Sequence, residues 1–123
     1  MIEPHQRAAL IPNSRGVLWH TFLRERFLGT SFGILIQSIE QQSPEHADLQ
    51  GLVEHSFGRS LPLVSDFSGA LNIETREITV HETQNYRHYA GQFSENGRVL
   101  TLRQQGEAKP LHLVHEETLR DLL

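Results

Sequence analysis

The sequence contains no cysteine. This absence excludes disulfide bonds, thiolate catalysis, cysteine-ligated zinc and iron–sulfur clusters. It suits a reducing cytoplasm, although a periplasmic protein can also lack cysteine. Residues 1–13 hold no apolar stretch of signal-peptide length. We therefore expect a cytoplasmic protein in which residues 1–13 are loosely ordered.

Long hydrophobic runs and an excess of positive charge are also lacking. The most apolar stretch, residues 32–39, includes Gln37 and Ser38 and is far shorter than the roughly 20 residues of a membrane span. The chain has eleven Lys and Arg residues and fifteen Asp and Glu residues, so its net charge is -4. Such a balance argues against a broadly cationic surface. We expect neither a nucleic-acid partner nor a membrane partner.

The short motifs of nucleophile elbows, zinc proteases, P-loops and dinucleotide-binding sites are missing as well. The sequence therefore predicts no cofactor and identifies no catalytic residue. A chain of 123 residues has the length of one ordinary domain, and we interpret residues 1–123 as a single domain.

The first half of the chain carries helix signals. Ser43 can cap a helix, Pro44 suits its first position, and Glu45 faces the positive end of the helix dipole. Apolar residues then recur at helical spacing as far as Phe57, and Gly58 suits the left-handed position after a helix. This pattern predicts a helix over residues 44–57.

Two earlier segments fit a helix or a strand. Asn13 or Ser14 can cap a helix that Gly29 ends, but residues 17–23 also fit a strand. Residues 32–39 have apolar side chains at positions i, i+3, i+4 and i+7, typical of a helix, and a buried strand fits them almost as well. We favour helices in both segments.

The second half favours an antiparallel meander. Asn96-Gly97 is a strong hairpin turn signal, and a turn there pairs Phe93 with Leu100 and Gly91 with Leu102.

Two further turns extend the meander. A turn at Gln84-Asn85 pairs His81 with His88 and Val80 with Tyr89. A turn at Thr75-Arg76 pairs Ile73 with Ile78 and Leu71 with Val80.

These separately chosen registers sort the side chains into two faces. A slip of one residue would mix the faces, so their agreement supports the register. The apolar face holds Leu71, Ile73, Ile78, Val80, Tyr89, Phe93, Leu100 and Leu102. The opposite face holds Thr79, His81, His88, Ala90, Gln92, Val99, Thr101 and Arg103.

The end of the chain adds a strand and a helix. Residues 111–114 alternate as a fifth strand after Pro110, and residues 115–123 predict a short helix with Leu122 on its apolar face. The predicted fold is α+β, with N-terminal helices packed on one face of a four- to five-stranded antiparallel meander and a short C-terminal helix. If residues 16–39 are extended, the alternative is a mostly-β barrel.

The favoured function is non-catalytic, namely self-association or binding of a protein partner through the open sheet face. That face is too mixed for a core, yet weakly charged. We expect a homodimer with interface residues His81, His88, Thr101, Arg103 and Leu122. Glu82 points away from the histidine pair, so no carboxylate joins it. We therefore favour an ordinary solvated or partner-facing pair and assign no metal ligands; a metal or ligand site and a pH sensor are the alternatives.

The alternative function is a small-ligand-binding protein or an enzyme with a pocket between the helices and a curved sheet. Gly91 would leave room, and the inward hydroxyl of Tyr89 needs a hydrogen-bond partner. The ligand-binding candidates are Tyr89, Gly91, Asp66 and Trp19.

Overall fold

Eight antiparallel strands close into a barrel in a computed structural model of the protein. The structure describes residues 18–21, 30–57, 61–95 and 97–115. The strands are β1 (Leu18–Thr21), β2 (Thr30–Gln41), β3 (His46–Phe57), β4 (Leu63–Asn72), β5 (Glu77–Glu82), β6 (His88–Phe93), β7 (Val99–Gln104) and β8 (Leu111–His115). Each strand pairs with the next along the chain, and β8 pairs with β1 to complete the ring.

The predicted α+β class is wrong, because the described ranges contain strands, turns and loops but no helix. Of residues 44–57, predicted as a helix, 46–57 form β3, and residues 32–39, also predicted as a helix, form most of β2. The alternative, a mostly-β barrel, agrees with the structure. Of the earlier predicted helix, Leu18–Thr21 is strand β1, and the remainder lies outside the described residues. His115 belongs to β8, whereas the rest of the predicted terminal helix, and residues 1–13, also lie outside them.

A β-bulge explains the last step of the helix-like spacing in β2. Ile36 pairs with Gly51, but the next paired residue is Ser38, opposite Gln50. The residue of β2 between Ile36 and Ser38 therefore has no partner on β3, and the residues after it are displaced by one position relative to β3. Phe32, Ile34 and Ile36 are buried, and Ile39 packs against the core after the bulge. The step from Ile36 to Ile39 imitates a helical period although the segment is extended.

The capping signal before β3 forms a turn between two strands. Ser43 Oγ accepts hydrogen bonds from the backbone N–H groups of Glu45 and His46, at 3.3 and 3.1 Å. A serine side chain bonds in this way in tight turns as well as at helix starts. The local interaction was predicted correctly, but the chain continues from it as β3.

The predicted registers of β5, β6 and β7 are confirmed. His81 pairs with His88 and Val80 with Tyr89, while Phe93 pairs with Leu100. Gly97 has a positive φ of 70°, as the predicted turn requires. The apolar face of the meander lies inside the barrel and the opposite face lies outside.

The register between β4 and β5 differs from the prediction by two residues. Leu71 pairs with Ile78, not with Val80. A longer turn causes the difference, because Asn72 Oδ1 accepts hydrogen bonds from the N–H groups of Glu74 and Thr75, both at 3.0 Å. A shift of two residues keeps every side chain on its predicted face of the sheet. The prediction of which residues point inward is therefore correct although the pairing is not.

Within the described ranges, no helix has the length and apolar character needed to cross a membrane.

Candidate functional site

One end of the barrel opens into a pocket. We call this end the mouth; β5 meets β6 there through residues 83–87, and β7 meets β8 through residues 105–110. The pocket has a volume of about 550 Å³, within the range of roughly 300–1,000 Å³ found for small-ligand sites. Its lining includes Phe32, His55, Arg87, Tyr89, Lys109 and Leu111.

A buried carboxylate lies next to the residues that line the mouth. The Glu82 side chain is fully buried and accepts hydrogen bonds from three sources at short or moderate distance. Ser65 Oγ donates to Oε1 at 2.7 Å and Tyr89 Oη donates to Oε2 at 2.6 Å. His55 Nε2 lies 3.2 and 3.3 Å from the two oxygens, and Asn85 Nδ2 adds a longer contact of 3.4 Å.

This hydrogen-bond network stabilises the ionised form of Glu82. Burial acts to raise the pKa of Glu82, but the hydrogen bonds from Tyr89 and Ser65 and the electrostatic effect of His55 outweigh burial, so the pKa lies below its ordinary value. A buried negative charge that is fully hydrogen-bonded holds its donors in fixed positions. Glu82 is therefore the residue that orients Tyr89 and His55.

Two groups of opposite charge act on the Tyr89 hydroxyl. Burial raises the pKa of Tyr89 well above its usual range, and its hydrogen bond to Glu82 and the charge of Glu82 raise it further. Arg87 acts on the same hydroxyl in the opposite direction, through its charge and a hydrogen bond. Tyr89 thus stays protonated, is hydrogen-bonded to the buried Glu82 and shares the lining of the mouth with Arg87.

Aromatic packing fixes the imidazole of His55. Its ring meets Phe32 edge-on with centroids 5.2 Å apart, and stacks on Phe57 at 6.3 Å with a 3° angle between planes. Phe32 also contacts Tyr89, with centroids 5.3 Å apart. The side chains at the mouth therefore combine an apolar aromatic wall with two groups bonded to Glu82.

The predicted ligand-binding residues do not come together. Tyr89 lines the mouth, points inward and has the hydrogen-bond partner that the sequence required. Asp66 is exposed on β4. Trp19 is fully buried between Phe93 and His115, with ring centroids 5.3 and 5.2 Å away.

Gly91 allows the close approach of two strands. A Cβ atom at this position would lie 1.8 Å from the backbone oxygen of Thr101, so β7 occupies the space that the sequence analysis assigned to a pocket. Gly91 borders a groove on the outside of the barrel and does not line the mouth.

Sequence reasoning missed Glu82, His55, Arg87 and Lys109 as members of one site. A signal for Glu82 existed, because the alternation Ile78, Val80, Glu82 placed a carboxylate on the apolar face. A carboxylate there requires partners inside the protein. His55 could not be paired with it while residues 44–57 were interpreted as a helix.

Four of the five predicted interface residues meet in the groove on the outside of β5, β6 and β7. His81, His88, Thr101 and Arg103 all line this outer groove, whose volume is about 900 Å³. Leu122 lies outside the described residues. Whether the groove is an interface stays a prediction.

Comparison of the sequence with protein-family models and with curated proteins finds no match.

Proposed function

We propose that the protein binds a small organic anion with an apolar body in the mouth of the barrel. The observation that carries this proposal is the arrangement of Tyr89 and His55, which line the pocket while both are hydrogen-bonded to the buried Glu82. Binding sites typically combine apolar walls with a few fixed polar groups that set the orientation of the ligand. The mouth has both features.

The apolar part of the ligand is inferred from the walls. Phe32, Phe57 and Leu111 line the mouth beside the ring of Tyr89, and Phe57 remains half exposed. An eight-stranded barrel is narrow, so its interior is filled by side chains or holds one small ligand. In this protein the core residues fill the remainder of the barrel, which favours a ligand that enters only the mouth.

The negative charge of the ligand is inferred from the rim. Among the described residues that line the pocket, the cations Arg87 and Lys109 are accompanied by one exposed carboxylate, Glu107. The Glu82 carboxylate accepts hydrogen bonds from Ser65 and Tyr89. It does not line the pocket, so a ligand in the mouth would not contact it. An anionic group at the rim would therefore meet two cations, and Arg87 can bind a carboxylate or a sulfonate through two parallel hydrogen bonds.

Two dyes with the same aromatic body test this proposal. The first, 8-anilino-1-naphthalenesulfonate, is an anion, and the second, N-phenyl-1-naphthylamine, is uncharged. Both should bind the parent protein with increased fluorescence. Arg87→Gln should weaken binding of the anionic dye by about fivefold, the effect of about 1 kcal/mol for one charged contact, while the neutral dye should be little affected.

Arg103→Gln is the matched control, because Arg103 is an exposed arginine of the outer groove. It should leave the affinity for both dyes unchanged. Absence of dye binding to the folded parent protein, or equal effects of Arg87→Gln and Arg103→Gln on the anionic dye, would contradict the proposal.

Self-association through the outer groove is a second candidate function. The observation that favours it is that four predicted interface residues line one groove, namely His81, His88, Thr101 and Arg103. Association through this groove would give a homodimer. Light scattering over a range of concentrations tests self-association, since a mass of 14.1 kDa at every concentration would contradict a dimer.

We also propose a cytoplasmic location, because a cysteine-free sequence suits a reducing compartment.

A further inference from the structure

Two histidines face each other on the outside of the barrel, at the same end as the mouth but on the opposite face of the sheet from its lining. His81 on β5 and His88 on β6 are direct partners across the two strands, and both are exposed. Their Nδ1 atoms are in hydrogen-bond contact. The ring centroids lie 4.6 Å apart, with the planes inclined by 74°. The same nitrogen of each ring is therefore directed at its partner.

Such a contact requires an electrophile between the two nitrogens. A neutral imidazole has one nitrogen with a free lone pair and one that carries a proton. When two Nδ1 atoms meet, one of them donates a proton to the lone pair of the other. A metal ion can take the place of that proton, because both nitrogens can then present lone pairs to it.

The geometry points to a two-histidine site for a divalent transition-metal ion at His81 and His88. Imidazole nitrogen suits Cu²⁺, Ni²⁺ and Zn²⁺, and among these Cu²⁺ generally binds most tightly. Ligation through Nδ1 leaves the proton of each ring on Nε2. Both side chains are exposed, so the rings are free to adjust to the metal–nitrogen distance of about 2.0 Å.

The surroundings leave the other coordination positions to water. The pair borders the outer groove of about 900 Å³, which is open to solvent. Among the described residues, no third histidine, aspartate or glutamate joins the pair to form a larger ligand group. The charged residues that line the groove are Glu77 and Glu107, which favour a cation, and Arg103, which opposes one.

Titration calorimetry with Cu²⁺ tests the site. The parent protein should bind one ion at the pair, and His81→Ala and His88→Ala should each weaken this binding by about tenfold or more, at least the loss seen when a group that supports a metal ligand is removed. His46→Ala is the matched control, because His46 is an exposed histidine on a different strand, bonded to Asp48 at 2.9 Å. It should leave the binding at the pair unchanged.

A nitrogen-detected NMR titration with Zn²⁺ adds a readout that does not depend on affinity. We expect the Nδ1 signals of His81 and His88 to shift together to metal-bound values while Nε2 of both rings stays protonated. Equal Cu²⁺ binding by the parent protein and both pair variants, or Zn²⁺ shifts confined to other histidines, would overturn the assignment. Far-UV circular dichroism of the variants shows that they remain folded.

Discussion

The hydroxyl of Tyr89 donates a 2.6 Å hydrogen bond to Glu82 Oε2 inside the barrel. The register of β5 and β6 makes this contact possible, because Tyr89 lies opposite Val80, two residues before Glu82 on the same inner face. Tyr89 also lines the mouth. One side chain thus connects the pocket surface to the buried charge that holds it in place.

Removal of the Tyr89 hydroxyl should destabilise the protein. Tyr89→Phe leaves the buried carboxylate with fewer donors, which we expect to cost about 1–3 kcal/mol of unfolding free energy. Since the lost hydrogen bond lowers the pKa of Glu82, the pKa of that carboxyl should rise in the variant. Urea unfolding measures the first effect, and NMR titration of the Glu82 side chain measures the second.

Tyr86→Phe is the control for this change, because Tyr86 is 83% exposed. Tyr86→Phe should change neither the free energy of unfolding nor the pKa of Glu82. Equal stability of the Tyr89→Phe variant and the parent protein would show that the Tyr89–Glu82 bond does not hold the mouth together.

Replacement of Glu82 should change how stability depends on pH. The pKa of Glu82 is lowered in the folded protein from an ordinary value of 4.5, so the unfolded chain binds this proton more readily. The contribution of the ionised group is fully present above that value and is lost as the pH falls through the lowered pKa. Glu82→Gln should therefore be less stable than the parent protein at pH 7, and the gap should narrow as the pH falls below the ordinary value.

Urea unfolding of both proteins at several pH values measures this gap. Glu54→Gln is the control, since Glu54 is a partly exposed glutamate on β3 outside the Glu82 network. A gap that stays constant from neutral to acidic pH would contradict the assigned role of the Glu82 charge.

A methyl group at Gly91 should be poorly tolerated. The added Cβ would meet the backbone of β7 at 1.8 Å, whereas at Gly33 the nearest atom, the oxygen of Trp19, would be 3.3 Å away. The backbone of β7 cannot move aside as the end of a flexible side chain can. We therefore expect Gly91→Ala to lower the free energy of unfolding by about 1–3 kcal/mol or more, and Gly33→Ala to lower it by less. Thermal unfolding of the two variants compares them, and the reverse order would contradict the close approach of β6 and β7.

The sequence predicted the region from β5 to β7 well because two independent signals agreed there. Alternation assigned the faces, and the Asn96-Gly97 turn fixed the register of Phe93 against Leu100, as observed. At Thr75-Arg76 only alternation was reliable. The side chain of Asn72 stabilises a longer turn, so the register moved by two residues while the faces stayed correct.

The helices were predicted wrongly because local patterns imitate helices in β2 and β3. In β2, Leu35 is an apolar residue on the outer face, and the bulge after Ile36 gives the step to Ile39 a helical spacing. In β3, Leu52 disturbs the alternation, since it lies outside the barrel opposite Leu35. Together the two errors concealed the pairing of Phe32 on β2 with His55 on β3. The mouth could not be assembled from the sequence because its residues lie on strands joined by long-range pairing.

Binding of a small organic anion in the mouth of the barrel can be located residue by residue with a two-dimensional NMR titration of the protein with 8-anilino-1-naphthalenesulfonate. We expect the largest changes in amide signals to cluster at Phe32, His55, Arg87, Tyr89 and Leu111, and to become smaller in the Arg87→Gln variant. Changes centred on the outer groove at Thr101 and Arg103, with the mouth signals unmoved, would contradict it.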